Sequence, residues 1–267
     1  MKAYLTYFQL KFISGLQYRA AAWAGIATQF FFGAVYIMVY VAFYESGGKN
    51  LPMELPQLVT YLWLNQAFLA LIHQFGMDHE LVKLVKSGGI AYELCRPKDL
   101  YFMWYFKIIG QRLAEVLLRL VPLIAVTILL PDPYHFGLAA SFTHFLLFLL
   151  SISMGALLVT SLTVLYPIIT LTTMNEKGFV NILITIGDIL SGLVIPIPFF
   201  PNFLKIISRC LPFQYISDLP FRIYVGNISI TDGIIGIVLQ IIWTFIIIMI
   251  GKLLLNKSIR RVVVQGG

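Results

Sequence analysis

The chain of 267 residues is 59% hydrophobic and only 12% charged, and its mean hydropathy is +0.87. A soluble globular domain has about a quarter of charged residues, so this composition excludes one and indicates a protein embedded in a lipid bilayer. The formal net charge of +7 needs no nucleic-acid partner, because basic residues collect in the cytoplasmic loops of membrane proteins.

The N-terminal segment, residues 1–19, is amphipathic rather than uniformly apolar. Leu5, Phe8, Phe12 and Leu16 recur at helical spacing, with basic residues between them. This pattern predicts a helix that lies on the cytoplasmic membrane interface. The alternative is that the segment is only the start of the first span.

Six apolar segments are predicted to cross the membrane as helices, which makes the fold class all-α integral membrane. They cover residues 20–44, 57–75, 101–130, 138–165, 179–195 and 234–255. In this topology the inner side has fourteen Lys and Arg residues and the outer side has four. The bias predicts a multi-pass protein with both termini in the cytoplasm.

The loop over residues 78–100 is the longest polar segment between two strongly apolar ones. Glu80–Lys86 can form a short amphipathic helix, which Ser87-Gly88-Gly89 then ends. Two interpretations are open for such a loop on the basic side of a membrane. It is either a solvated connector or a docking surface for a soluble partner.

Residues 196–230 contain five prolines that separate two apolar pieces, each too short to cross the bilayer. We predict re-entrant helices that dip into the outer leaflet and form an outer gate. The alternative is a rigid plug. The gate would bury Phe199, Phe200, Phe203 and Phe213 and place Lys205, Arg209 and Arg222 at the headgroups.

Several polar residues lie inside the predicted spans. Arg112, Glu115 and Arg119 share one helix face and predict an ion-pair stripe, in which Glu115 can pair with either arginine. Asp188 has no cation within a helical turn, so it serves either packing or a transport pathway. The other pathway candidates, which could equally be contacts between helices, are Gln29, Tyr61, Asn65 and Gln66.

Catalytic and metal motifs are missing from the sequence. It contains neither GxxxxGK[ST] nor HExxH, and we predict no catalytic residue, no metal site and no bound cofactor. Cys95 and Cys210 fall on opposite faces of the predicted topology, so they cannot pair within one chain.

Two blocks of sequence carry a resemblance to a known family. SGGIAYELCRPKD (Ser87 to Asp99) is followed by LYFMWYF, and LSGLVIPIPFFPNFLKIISRCLPFQY runs from Leu190 to Tyr215. With IYVG at Ile223 to Gly226 and the terminal VQGG, these blocks resemble the permease subunits of bacterial ABC-2-type transporters. The resemblance covers essentially the whole chain.

The resemblance implies a permease of an ABC exporter in the bacterial cell membrane. Residues 1–19 would be the interface helix, and the loop would hold a coupling helix for a separate ATPase, present in two copies, which binds ATP and Mg. A second permease chain, related rather than identical, would complete the pathway. The residues predicted to couple are Glu80, Leu81, Lys83, Leu84, Lys86, Glu93 and Arg96.

Two other classes of function stay open. One is an ion-coupled secondary transporter with Asp188 or Glu115 as its proton site, although no inverted repeat is detected. The other is a membrane scaffold or sensor subunit that transports nothing. Members of the wider family that this sequence resembles export lipids, polysaccharides, peptides and drugs.

Overall fold

The computed structural model describes residues 2–47, 51–73, 81, 83, 84, 89–95, 97–173 and 177–260. In these ranges the chain forms α-helices, two short 3-10 turns and connecting segments, and none of the residues in them lies in a β-strand. The predicted all-α fold class is therefore confirmed for this part of the chain.

The helices follow one another as a bundle. They are α1 (Lys2–Leu16), α2 (Arg19–Glu45), α3 (Leu55–Ala67), α4 (Leu69–Ile72), α5 (Ile90–Leu94), α6 (Leu100–Ile128), α7 (Phe142–Thr173), α8 (Lys177–Leu190), α9 (Asn202–Arg209), α10 (Asp218–Tyr224) and α11 (Ile230–Ile259). The 3-10 turns are Ile197–Phe199 and Phe213–Tyr215.

Three helices in the described ranges are long and apolar enough to cross a membrane: α2, the Phe142–Leu171 part of α7, and α11. They correspond to the first, fourth and sixth predicted spans. The helix α6 is of similar length but carries the charged residues of the predicted stripe. The crossings by the other segments remain predictions.

The bundle has two distinct ends. At one, which we call the Asp99 end, Lys252 Nζ lies 2.7 Å from Asp99 Oδ2 and joins α11 to the start of α6. At the other, which we call the Pro52 end, Asn227 Nδ2 donates to the Pro52 carbonyl at 3.1 Å. Two loops pack against α10 and its flanks at this end. One is the loop between α2 and α3, which contains Pro52, and the other is the loop between α6 and α7, where Ala140 N donates to the Tyr224 carbonyl at 3.0 Å.

The N-terminal helix α1 packs along the first half of α6. The ring of Tyr4 stacks on that of Phe106 at a centroid distance of 5.9 Å. Gly110 allows close approach, because a Cβ there would lie 2.8 Å from the Phe8 carbonyl oxygen. The helix expected over residues 1–19 therefore forms; its position at the membrane interface stays a prediction.

Several predicted span boundaries differ from the helices. The second span is broken at Phe68 into α3 and α4, because the chain leaves helical geometry there. The fourth begins at Phe142 rather than at residue 138, and α7 continues to Thr173, past the predicted end at residue 165.

The fifth predicted span ends as a helix at Leu190, five residues before the expected Ile195. Gly192 adopts φ +82°, its N–H bonds to the Ile189 carbonyl, and Leu193 N bonds to the Asp188 carbonyl. This is a Schellman arrangement, which glycine favours because it lacks a Cβ. The glycine, not the prolines of residues 196–201, ends the helix.

Candidate functional site

The described part of the 78–100 loop is held against the Asp99 end of the bundle. Leu81 and Ile90 are buried in one apolar cluster with Tyr101 of α6 and Leu255 of α11. Burial of two apolar residues from different parts of the loop fixes its position on the helices. A force applied to the loop would therefore reach α6 and α11 directly.

The opposite face of this loop is exposed. Tyr92, in α5, is 81% exposed, and Lys83 and Cys95 are also exposed. An aromatic ring projecting from a short helix is typical of contact surfaces, since aromatic residues dominate binding interfaces. The loop thus has a buried face toward the bundle and an exposed aromatic face away from it.

The remaining predicted coupling residues have mixed positions. Leu84 packs partly buried against the same cluster, and Glu93 is half-buried. Glu80, Lys86 and Arg96 lie outside the described residues.

Two of the predicted pathway residues, Tyr61 and Asn65, bind the backbone just after α8. The Tyr61 hydroxyl lies 3.2 Å from the Gly192 carbonyl oxygen, and Asn65 Nδ2 donates to the Leu193 carbonyl at 2.9 Å. Their spacing of four residues puts both on one face of α3. In this chain they attach α3 to the segment that follows α8.

A buried carboxylate, Asp218, organises the same region. Its Oδ1 accepts from the Tyr61 hydroxyl at 3.0 Å and from Ile197 N at 3.2 Å, and its Oδ2 lies 3.5 Å from Arg222 Nη1. Ser217 Oγ donates to the Ser191 carbonyl at 2.7 Å beside it. The Asp218 side chain, in a residue that is 2% exposed, thus joins α10 to α3 and to the 3-10 turn Ile197–Phe199.

The turn before α10 lies deep in the bundle. Gln240 Nε2 donates to the Tyr215 carbonyl at 2.7 Å and to the Ser151 carbonyl at 2.9 Å. Gln240 lies roughly 15 Å along α11 from its first residue, Ile230. A Cβ on Gly155 of α7 would lie 2.7 Å from the Ile216 carbonyl oxygen. Irregular backbone at this depth needs such polar partners.

The four predicted gate phenylalanines are not alike. Phe200 is buried, and Phe199 and Phe213 are partly buried, with Phe199 5.4 Å from the Tyr40 ring. Phe203 is 62% exposed, so protein does not cover it, and its burial in the outer leaflet remains a prediction. It lies on α9 with the exposed Ile206 and Ile207, a face that none of the described residues covers.

Arg112 caps the end of α4. Its Nη1 donates to the carbonyl oxygens of Leu71 at 2.8 Å and His73 at 2.7 Å, and its Nη2 donates to Thr163 Oγ1 at 2.9 Å. The last carbonyls of a helix lack partners within it, and a buried guanidinium supplies several donors at once. Arg112 therefore ties α6 to α4 and α7.

The predicted ion-pair stripe is not formed as expected. In the part of the chain that the structure describes, Glu115 accepts from Gln111 Nε2 at 3.0 Å and has no ion pair with either arginine. The Arg119 guanidinium packs against α2, where a Cβ on Gly25 would lie 3.0 Å from its Cζ. Arg112 and Arg119 thus contact other helices instead of pairing with Glu115 along α6.

Asp188 has a histidine neighbour at the end of another helix. His73 Nδ1 lies 3.3 Å from Asp188 Oδ2, so the end of α4 meets α8 beside Arg112. Within the described ranges, no three His, Cys, Asp or Glu side chains come together as metal ligands. Asp188 and His73 thus form a partly buried polar contact between helices.

The last two pathway candidates, Gln29 and Gln66, are both buried. Gln66 lies near Gly33 of α2, where a Cβ would be 3.0 Å from its Cγ. Among the described residues, neither Oε1 nor Nε2 of Gln29 has a hydrogen-bond partner. Both residues lie between α2 and its neighbours.

Comparison with known proteins identifies the family. The family model described as ABC-2 family transporter protein matches residues 23–266. This chain belongs to that family. A search of curated proteins gives no match. The resemblance noted in the sequence is confirmed, and with it the assignment to a membrane transporter.

Membership of the ABC-2 family supports a permease role in an ABC transporter, and the family is not one of catalytic enzymes. Sequence reasoning missed three residues of this ABC-2 chain that the structure singles out: Tyr92, His73 and Asp218. Tyr92 gave a signal as an aromatic in a polar loop. His73 and Asp218 have partners far along the chain, which spacing does not reveal.

Proposed function

We propose that this ABC-2 chain is the permease subunit of an ATP-driven exporter, coupled to a separate ATPase through residues 78–100. Closure of the ATPase on ATP would push the loop, and the helices would switch the pathway from inside to outside. The loop lies on the cytoplasmic side, with both termini, in the bacterial cell membrane.

One observation supports the coupling role above the others. Leu81 and Ile90 bury the loop against α6 and α11, while Tyr92 projects away from the bundle. A passive connector needs neither feature. A loop that transmits motion needs both, because it must contact a partner and be attached to the helices that move.

The segment after α8 is proposed as the outer gate. Its backbone is bound to α3 through Tyr61 and Asn65 and to α11 through Gln240, at a depth that a solvated surface loop would not reach. This supports the re-entrant interpretation over a loop outside the membrane.

The assembly would contain two ATPase copies and a second permease, related rather than identical. ATP and Mg would bind in the ATPases alone. The exposed apolar faces of α2 and α11 supply surface for lipid and for the second permease.

A second candidate is an ion-coupled carrier, which the Asp188–His73 contact favours because it joins a buried carboxylate to a partly buried titratable side chain. Transport driven by a proton gradient in ATP-free vesicles would support the carrier. The absence of such transport, with ATP-driven transport in the same vesicles, would support the exporter.

Replacing Glu80–Lys86 with a Gly/Ser linker is expected to abolish co-purification of an ABC ATPase from membranes that contain the native complex. The change removes the apolar attachment at Leu81 but none of the spans. Tyr92→Ala should weaken co-purification at least about tenfold, as expected of an aromatic contact residue.

Tyr18→Ala is the matched control, because Tyr18 is 68% exposed but lies outside the loop. It should leave the amount of ATPase unchanged, and all variants should insert in the membrane. A complex of normal stoichiometry after the linker replacement would contradict the coupling role.

Cys95 and Cys210 are both exposed, the first in the loop and the second after α9. We expect a membrane-impermeant thiol reagent outside intact cells to label Cys210, and to label Cys95 only after the cells are opened. Single Cys→Ser variants assign each signal. Labelling of Cys95 from outside would overturn the proposed orientation.

A further inference from the structure

A cleft at the Pro52 end brings together most of the cations predicted for the outer side. It has a volume of about 240 Å³, and Lys205, Arg209 and Arg222 line it with Gln214 and Asn227. The predicted outer side has only four basic residues, so three of them share one cleft.

The charge of the cleft is largely uncompensated. Arg222 pairs with Asp218 at 3.5 Å, and its Nε donates to Asn227 Oδ1 at 2.8 Å. In the described part of the chain, the side chains of Lys205 and Arg209 have no carboxylate within ion-pair distance, and no acidic side chain lines the cleft. Like charges gathered in a concave site attract an anion strongly.

The apolar face of α9 lies beside this cleft. Lys205 and Arg209 are four residues apart and share a helix face, whereas the exposed Phe203, Ile206 and Ile207 occupy another. An amphipathic helix of this kind buries its apolar face among acyl chains and keeps its cations at the headgroups. The cleft therefore opens where lipid headgroups lie.

We propose that this cleft binds the phosphate of an anionic phospholipid headgroup, with Lys205 and Arg209 as the principal ligands and Arg222 as a third. A lipid fits better than a free anion, because the apolar face of α9 provides a surface for its chains. A zwitterionic headgroup fits worse, since its cationic part would meet the same three cations. The proposal is independent of coupling to an ATPase.

The test uses the purified full chain in a neutral detergent, with binding of dioctanoylphosphatidylglycerol measured by native mass spectrometry. Lys205→Gln combined with Arg209→Gln should weaken binding at least about tenfold, because two charge-assisted contacts are lost. Dioctanoylphosphatidylcholine should bind the unaltered chain more weakly than the phosphatidylglycerol.

Lys257→Gln combined with Arg260→Gln is the matched control, because it removes the same charge from exposed residues at the Asp99 end. It should leave phosphatidylglycerol binding unchanged. If the cleft variant does not fold, the single change Arg209→Gln replaces it and should weaken binding in the same direction.

Three results would overturn the proposal. One is equal loss of binding in the cleft and control variants, which would mean attraction to net charge alone. Another is equal binding of the two lipids. The third is displacement of the phosphatidylglycerol by an equal concentration of inorganic phosphate, which would identify a free-anion site instead.

Discussion

Replacing Asp218 with leucine is expected to lower the stability of the folded chain by about 3 to 5 kcal/mol, the usual cost of removing one member of a buried ion pair. The change leaves the Tyr61 hydroxyl, the Ile197 N–H and the Arg222 guanidinium without their acceptor. The Ile197 N–H is then a buried donor without its acceptor, while the Tyr61 hydroxyl keeps only the Gly192 carbonyl and Arg222 keeps only Asn227.

Asp218→Asn should cost less, because the amide oxygen can still accept from Tyr61 and Ile197 although the charge opposite Arg222 is gone. Thermal unfolding of the purified chain in detergent, followed by its intrinsic fluorescence, would measure both changes. The order expected is unaltered chain, Asp218→Asn, then Asp218→Leu.

Asp132→Leu is the control, because the Asp132 side chain is 87% exposed and its 2.6 Å contact with His135 is a surface pair. Such pairs contribute about 1 kcal/mol or less. If Asp218→Leu and Asp132→Leu unfold at the same temperature, Asp218 does not hold the gate segment as described.

The Asp218 region also shows where sequence reasoning ends. Its apolar pieces and prolines predicted a segment that neither crosses the membrane nor leaves it, and the helices found there are short. The partners of Asp218 were not predictable, because Tyr61 lies in another helix far along the chain. Composition gives the environment of a segment, whereas its contacts depend on the packing of the whole bundle.

The end of α8 has a signal in the sequence. Gly192 follows directly after an apolar run and a serine, a common pattern at helix ends, and it marks the end of α8 better than the prolines beyond it. Phe203 is a different case. Any apolar residue of a membrane protein is predicted to be buried, but sequence does not say whether lipid or protein covers it.

Charged residues inside the spans were found by sequence, but not their roles. The spacing of Arg112 and Glu115 favours an ion pair along α6, but such a pair contributes only about 0.2 to 0.5 kcal/mol. The unpaired carbonyls at the end of α4 offered Arg112 a larger gain. Those carbonyls exist because α4 ends at Ile72, inside the predicted second span, which hydropathy does not show.

Replacing Arg112 with methionine is therefore expected to cost about 3 kcal/mol or more, since three hydrogen bonds from a buried cation are lost together. The carbonyls of Leu71 and His73 would lose the donor that Arg112 gives them. Arg112→Lys should recover part of this, because an ammonium can reach one or two of the acceptors but lacks the planar fork of a guanidinium.

Arg119→Met serves as the control for Arg112→Met, as it removes the same side chain from a half-buried position on the same helix. The yield of monodisperse protein on size exclusion and the midpoint of thermal unfolding in detergent would measure each variant. We expect Arg112→Met to lose most of its folded protein, Arg112→Lys to be intermediate, and Arg119→Met to remain close to the unaltered chain. Equal losses for the two methionine variants would mean that both arginines only fill space in α6. In that case the capping of α4 by Arg112 would contribute nothing specific to the fold.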